Sequence, residues 1–187
     1  MVTGPLHERL GKGKAIVLLG PRQVGKTTLL LDLLEKDTSG LYLDCDEPDI
    51  RKRLTEPTSA DIKNLIGDHH LVIIDEAQRI KNIGLAAKIM VDKFKGVQFI
   101  LSGSSALELS NAINEPLTGR KFEFLLLPFS TRELVQQYSR LEEQRQLEQR
   151  LIYGFYPEIV LHHAEARERP SDLVSSYLYK DIFTYQD

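Results

Sequence analysis

The segment Gly20–Thr28 reads Gly-Pro-Arg-Gln-Val-Gly-Lys-Thr-Thr and fills every fixed position of the pattern G-x-x-x-x-G-K-[ST]. Its flanks narrow the reading further. Ala15–Leu19 (AIVLL) is an apolar run of buried-strand length, and the leucine-rich stretch from Thr27 to Leu34 reads as a helix. Strand, glycine loop and helix in that order make the phosphate-loop unit. Such a loop wraps a polyphosphate with successive backbone N–H groups, and glycine permits the dihedrals and the close approach. The first helical turn adds unpaired N–H groups and the positive end of the dipole. Gly20, Pro21, Arg22, Gln23, Val24, Gly25, Lys26, Thr27 and Thr28 are therefore the expected nucleotide-binding residues. Lys26 is placed to reach the β and γ phosphates. The Thr27 hydroxyl suits Mg²⁺, a hard cation that keeps several waters. Arg22 either touches phosphate or is solvated. The alternative, a glycine-rich surface loop beside a core strand, is weakened by the flanking strand and helix.

A phosphate loop needs a carboxylate to hold the metal. Asp75 follows the apolar run Leu71–Ile74 (LVII), so it falls at the C-terminal end of a strand buried on both faces. In open α/β sheets the ligand crevice lies at that end. Glu76 comes next and is the candidate general base for an attacking water. A fourth strand, Gln98–Leu101, runs into Ser102-Gly103-Ser104-Ser105. Ser102 is either a polar sensor of the γ-phosphate or attacking water, or part of an ordinary Ser-Gly turn. Arg120 precedes a fifth strand, Lys121–Leu127. It either stabilises transition-state charge, in its own or a neighbouring subunit's site, or is a surface arginine.

The rest of the chain alternates strands with helices, which implies a parallel sheet covered on both faces. The spacing predicts a short helix at Leu6–Leu10, a second strand from Leu41–Leu43 into Asp44, and helices at Pro48–Leu54 and Ala60–Ile66. It also predicts a helix at Gly84–Phe94 with Leu85, Ile89 and Met90 or Val91 inward, and a helical turn or more at Ala106–Leu109. Ser130 and Glu133 have capping-box spacing. Beyond them the pattern is helical, with breaks near Ser139, at Gly154–Pro157 and at Pro170. Residues 1–129 read as the nucleotide core and 130–187 as a helical continuation. The charged, Gln-rich run Arg140–Arg150 is expected to be a solvated helix face. Arg51-Lys52-Arg53 reads as surface, with a phosphate or partner contact as the alternative.

Composition limits the function classes. A net charge of -3 over 187 residues gives no overall basic field for nucleic acid. One cysteine, Cys45, excludes an intrachain disulfide and fits a reducing compartment. Its place after a strand pattern suggests a buried thiol. No run approaches 18 apolar residues and the N-terminus lacks a signal-peptide stretch, so the expected location is cytoplasmic, without membrane association. His69-His70 and His162-His163 are adjacent pairs that share no helix or strand face, which argues against a metal site.

The segments GPRQVGKTTLL, LYLDCDEPD, LVIIDEAQRI, FILSGSSALEL, LTGRKFEFLLLPFS and YGFYPEIV together resemble the AAA-type ATPases of bacteria and archaea. Within them the chain is similar to the group whose nucleotide domain precedes a nuclease-like domain of unknown function. The resemblance covers nearly all of residues 13–187. It implies a P-loop NTPase three-layer α/β sandwich with a five-stranded parallel sheet of order 2-3-4-1-5, one strand separating those of the two nucleotide motifs. It implies ATP/ADP and Mg²⁺ as ligands, Gly20–Thr28 as Walker A, and Leu71–Glu76 as Walker B with Glu76 catalytic. Ser102 matches the first sensor position, and Arg120 an arginine of the Thr-Gly-Arg segment. The residues from Ser130 onward would begin a helical lid. The chain stops near where the resemblance places a C-terminal domain, so a truncated protein is expected, with a nucleic-acid or protein partner acting through that domain. A homo-oligomer is left open. Relatives often carry Gly-Gly before the aromatic-Pro pair, and Gly154-Phe155-Tyr156-Pro157 keeps one of those glycines.

Three other classes share parts of this pattern. Asp75-Glu76-Ala77-Gln78 also looks like the box of two-lobed helicases, but the chain is too short for a second RecA-like lobe. A small-molecule kinase uses the same loop, yet an Asp-Glu pair followed by a serine suits water activation better than transfer to an acceptor. A nucleotide-gated switch with little turnover shares nearly every feature with the ATPase.

Overall fold

The computed structural model describes residues 3–37, 39–104 and 106–161. The breaks expected at Pro170, the pair His162-His163 and the chain end lie outside the described residues. The chain divides into two compact units: Met1–Pro21 with Gly25–Leu126, and Arg22–Val24 with Leu127–Asp187.

The first unit is built on five strands, β1 (Ala15–Leu19), β2 (Gly40–Asp44), β3 (Leu71–Asp75), β4 (Gln98–Gly103) and β5 (Lys121–Leu125). They form one sheet of order β2-β3-β4-β1-β5, as the resemblance implies, and every pairing is parallel. Position in the sheet follows composition. β1 and β3 are buried at every residue, whereas the edge strands β2 and β5 alternate or stay half-exposed.

The two-residue period of the strands splits the core into two layers. Ala15, Val17, Leu19, Val72, Ile74, Phe99 and Leu101 face one way. They pack with Ile62 and Ile66 of α4 (Ser59–Ile66), with Ile83, Ala87 and Met90 of α5 (Ile83–Lys93), and with Leu109 and Ile113 of α6 (Ala106–Asn114). Ile16, Leu18, Leu71, Ile73 and Ile100 face the other way, against Leu6 of α1 (Thr3–Arg9) and Leu30 and Leu33 of α2 (Lys26–Glu35). Each fully buried aliphatic side chain contributes about 1.5–3 kcal/mol relative to exposure, so these two layers dominate the stability of the unit.

Local signals set the helix ends. Pro48 occupies the first turn of α3 (Pro48–Leu54), where its missing N–H costs nothing. Thr58 and Asp61 form a full capping box on α4. On α5 the expected inward residues Met90 and Val91 are buried and Ile89 packs against the core, but Leu85 is not inward. Leu85 is 53% exposed, and the inward side of α5 is Ile83, Gly84, Ala86, Ala87 and Met90. Close approach of the next helix is the reason: a Cβ on Gly84 would lie 2.1 Å from the Ala112 carbonyl oxygen. Small residues must face that contact, so the large leucine turns outward.

β4 extends two residues beyond its expected end and takes Ser102 and Gly103 into the strand. β5 ends at Leu125, two residues early. The turn or more expected from Ala106 is a helix that runs to Asn114. Cys45 is fully buried, and burial pushes its thiol up to about 12, so it is protonated near neutral pH. Arg51 donates to the Cys45 and Asp46 carbonyls at 2.8 and 2.7 Å, which ties α3 to the turn after β2.

The described part of the second unit is helical: α7 (Thr131–Gln137), α8 (Arg140–Arg145), α9 (Leu147–Tyr153) and α10 (Pro157–Leu161). Ser130 and Glu133 close a capping box on α7. The charged run is not wholly a solvated face. Glu143 and Arg150 form a buried ion pair, with Arg150 Nη2 donating to Glu143 Oε1 at 3.1 Å and Nε to Oε2 at 3.3 Å. Gly154 stops α9 with φ +83°, a backbone angle that favours glycine. No helix among the described residues is long and apolar enough to cross a membrane.

Candidate functional site

The glycine segment joins the end of β1 to the start of α2. Gly25 is the N-cap of α2 at φ +95°, and no side chain caps that helix start. The dihedral, not crowding, requires glycine there, because a Cβ would meet nothing within 4 Å. Gln23 also sits at positive φ, +59°. Arg22, Gln23, Thr27 and Thr28 are exposed, whereas Val24 and Lys26 are buried. The Lys26 ammonium donates to the carbonyls of Gly20 at 2.9 Å and Pro21 at 2.8 Å. Those bonds fix a cation at the mouth of the segment.

Parallel register carries the remaining groups to the same end of the sheet. Ile74 is opposite Leu101, so Asp75 and Ser102 come next on adjacent strands. Both side chains lie on the α2 side of the sheet, sharing its face with Ile73 and Ile100. Four donors converge on the Asp75 carboxylate. Thr27 Oγ1 donates to Oδ2 at 2.7 Å and the Tyr42 phenol donates to the same oxygen at 2.6 Å. The Ser102 hydroxyl donates to Oδ1, as does the Glu76 N–H at 3.0 Å. Burial alone would raise the Asp75 carboxyl. The hydroxyls of Ser102, Tyr42 and Thr27, with the Glu76 N–H, outweigh burial and hold it below the usual carboxylate range. Asp75 is therefore ionised at neutral pH. Burial, followed by the bond to Asp75, drives the Tyr42 phenol strongly upward, so it remains a donor.

Glu76 leaves the strand in the left-handed region at φ 52°, ψ 40°. A non-glycine residue there is costly and is typically tolerated where the side-chain direction matters. Its carboxylate accepts from Gln78 Nε2 and, at 3.2 Å, from the Ser104 hydroxyl. Gln78 belongs to a 3-10 turn, Ala77–Arg79, and also donates to Ser104 Oγ at 3.2 Å. Gly103 gives Gln78 its space, since a Cβ on Gly103 would lie 2.6 Å from Gln78 Oε1.

The structure thus brings Lys26, Thr27, Asp75, Glu76 and Ser102 together at the C-terminal ends of β1, β3 and β4. Ser102 is a buried strand residue whose hydroxyl goes to Asp75, not a residue of an exposed turn. Arg120 is not brought to this cluster. Its carbonyl accepts the N–H of Ala15, the first residue of β1, so it lies at the opposite end of the sheet. The five residues of β1 separate the two ends by roughly 16 Å. There its Nε donates to Asp92 of α5 at 2.8 Å. The two side chains are 40% and 35% exposed, so solvent screens the pair and it contributes little to stability. Tyr42, Gln78 and Ser104 escaped the sequence reading. Only the polar tail of β4 and the Gln in Asp75-Glu76-Ala77-Gln78 hinted at the last two.

The oxygens of Thr27 and Asp75 fit a hard divalent cation. Mg²⁺ is usually bound by one or two carboxylates together with substrate phosphate and retained water. No group of three or more His, Cys, Asp or Glu residues suited to a metal occurs among the described residues. His69 Nδ1 instead lies 2.9 Å from the Ser39 carbonyl oxygen.

Comparison with known proteins matches a family model described as "AAA domain" over residues 12–135. Two curated relatives are the uncharacterized proteins Mb2031c of Mycobacterium bovis and Rv2008c of Mycobacterium tuberculosis. Each is 34% identical over 116 residues, which is 62% of this chain and 25% of the relative. The match thus spans about a quarter of the length of these relatives. Among solved structures, the Walker-type ATPase PABY2304 of Pyrococcus abyssi superposes with a TM-score of 0.65 at 18% identity. That superposition covers 97% of this chain and 73% of the other. At that identity the likeness establishes the fold.

Proposed function

This chain belongs to the AAA domain family, and from that premise we propose that it binds ATP with Mg²⁺ and hydrolyses it. The observation that carries the reading is the Thr27–Asp75 hydrogen bond at 2.7 Å, which joins the glycine segment to the carboxylate of β3. Thr27 and Asp75 would hold the metal, which supplies charge neutralisation of the β and γ phosphate oxygens. Gly20–Thr28 would cradle the phosphates, with Lys26 contributing its fixed charge. Glu76 takes a proton from water as that water attacks the γ-phosphorus. The bond to the ADP oxygen breaks and ADP leaves with its electron pair. Ser102 acts through Asp75 by fixing the plane of its carboxylate.

Arg120 is assigned no part in its own chain's site, given its place at the far end of the sheet. In an assembly it would act on a neighbour, where such arginines are worth ~10³–10⁵ in rate. Residues 130–187 are proposed as the start of a helical lid, which the helical run from α7 to α10 supports. The resemblance to proteins with a nuclease-like C-terminal domain supports a nucleic-acid-related task.

A slow nucleotide switch is the second reading. Gln78 and Ser104 favour it, because they engage the Glu76 carboxylate that must accept a proton. Steady-state phosphate release over a hundredfold range of protein concentration, with and without DNA, separates the two. The ATPase reading expects turnover per chain to rise with concentration or DNA, and Arg120→Ala to abolish the concentration-dependent part alone. A slow rate unmoved by either variable supports the switch. A loss in Arg120→Ala that is equal at every concentration contradicts a role in a neighbour's site.

A further inference from the structure

Tyr42 stands on β2, the edge strand beside β3, directly opposite Ile73. Asp75 is two residues further along the parallel partner and on the same face, about 8 Å away from the strand spacing and two rises, a gap that an aromatic side chain can span. The phenol spans it and donates to Asp75 Oδ2 at 2.6 Å, the oxygen that also accepts Thr27. Ser102 and the Glu76 N–H hold the other oxygen. Oδ1 is therefore tied to β4 and to the chain's own next residue, and Oδ2 to β2 and α2. Removing the phenolic hydroxyl would leave Oδ2 with Thr27 as its one remaining hydroxyl donor among these contacts. The carboxylate would then turn more freely about its bond to Cβ. Tyr42 is half-buried against the layer containing Ile73, so its ring is held in place independently of the hydroxyl.

We propose that Tyr42 is a positioning residue for the metal site, orienting the Asp75 carboxylate that, with Thr27, receives Mg²⁺. The assignment rests on the reading of Asp75 as the metal-holding group. Groups that orient a metal-binding carboxylate typically cost 10–100-fold in metal affinity or activity when removed. Tyr42 supplies one of four donors, so the expected effect is at the lower end, about tenfold.

The test uses the whole chain and a fluorescent ADP. Its affinity is measured in EDTA and then across a Mg²⁺ titration, with binding expressed per folded chain from a thermal melt. Tyr42→Phe is expected to bind within about twofold of wild type in EDTA, and to need about tenfold more Mg²⁺ for half of the magnesium-dependent gain. An unchanged or lowered magnesium requirement overturns the proposal. So does an equal weakening with and without the metal, which would mark a merely structural phenol. Asp75→Asn separates the two levels. If it leaves the magnesium requirement unchanged, the reading of Asp75 fails. If it raises the requirement while Tyr42→Phe does not, the Tyr42 assignment alone fails.

Discussion

Replacing Lys26 with alanine is expected to weaken ATP binding at least about 100-fold while leaving the chain folded. Its ammonium is buried and held by two backbone carbonyls, so it is set in place before any phosphate arrives. Hydrogen bonds to charged groups are worth about 1.5–3 kcal/mol each. With three N–H donors the ammonium releases at least one carbonyl when it bonds both phosphates, and two such bonds account for about 3 kcal/mol or more, which is over 100-fold. The cost to the fold is small by comparison. Alanine is the best helix former, and position 26 opens α2. Equilibrium titration with ATP beside a thermal melt checks both halves. Affinity within threefold of wild type would mean that the glycine segment does not hold the phosphates.

The second large effect concerns Glu76. Glu76→Gln is expected to keep ATP affinity within about threefold and to lower phosphate release about 10²–10⁴-fold, the usual contribution of a general base. The amide is nearly isosteric. Its oxygen can still accept from Gln78 and Ser104, so the strained turn at φ 52° keeps its partners. Only the capacity to take a proton is lost. Steady-state phosphate release at saturating ATP reads this directly. Unchanged turnover would remove Glu76 from the role of base, and lost ATP binding would show that its side chain shapes the site instead.

Legibility in the sequence followed the reach of each interaction. β1, the glycine segment, β3 and the Asp75-Glu76 pair were readable because their signals are contiguous: five buried residues in a row, then a fixed local pattern. The capping box at Ser130 was readable for the same reason. Sheet order was not in any local signal and came from the resemblance of several segments together. Tyr42 was invisible because an edge-strand tyrosine gains its meaning only from lateral register with β3. Ser102 stayed open between a sensor and a turn because a serine followed by glycine often marks a turn, yet pairing with Leu18 of β1 and its hydroxyl's bond to Asp75 keep it in the strand. Leu85 misled because hydrophobicity was read without the close approach of α5 to α6 at Gly84. Glu143 and Arg150 were read as solvated because a charge pattern does not disclose a buried partner seven residues away.

The central claim is that the Lys26, Thr27, Asp75 and Glu76 cluster is one hydrolytic site. It is tested most directly by incubating wild-type chain in excess over ATP, with Mg²⁺ or with EDTA, and identifying the nucleotide that stays on the protein. The account predicts ADP on the protein with one free phosphate per ADP in Mg²⁺, and intact ATP in EDTA. Intact bound ATP in Mg²⁺ after prolonged incubation at every protein concentration would contradict it, as would equal conversion in EDTA.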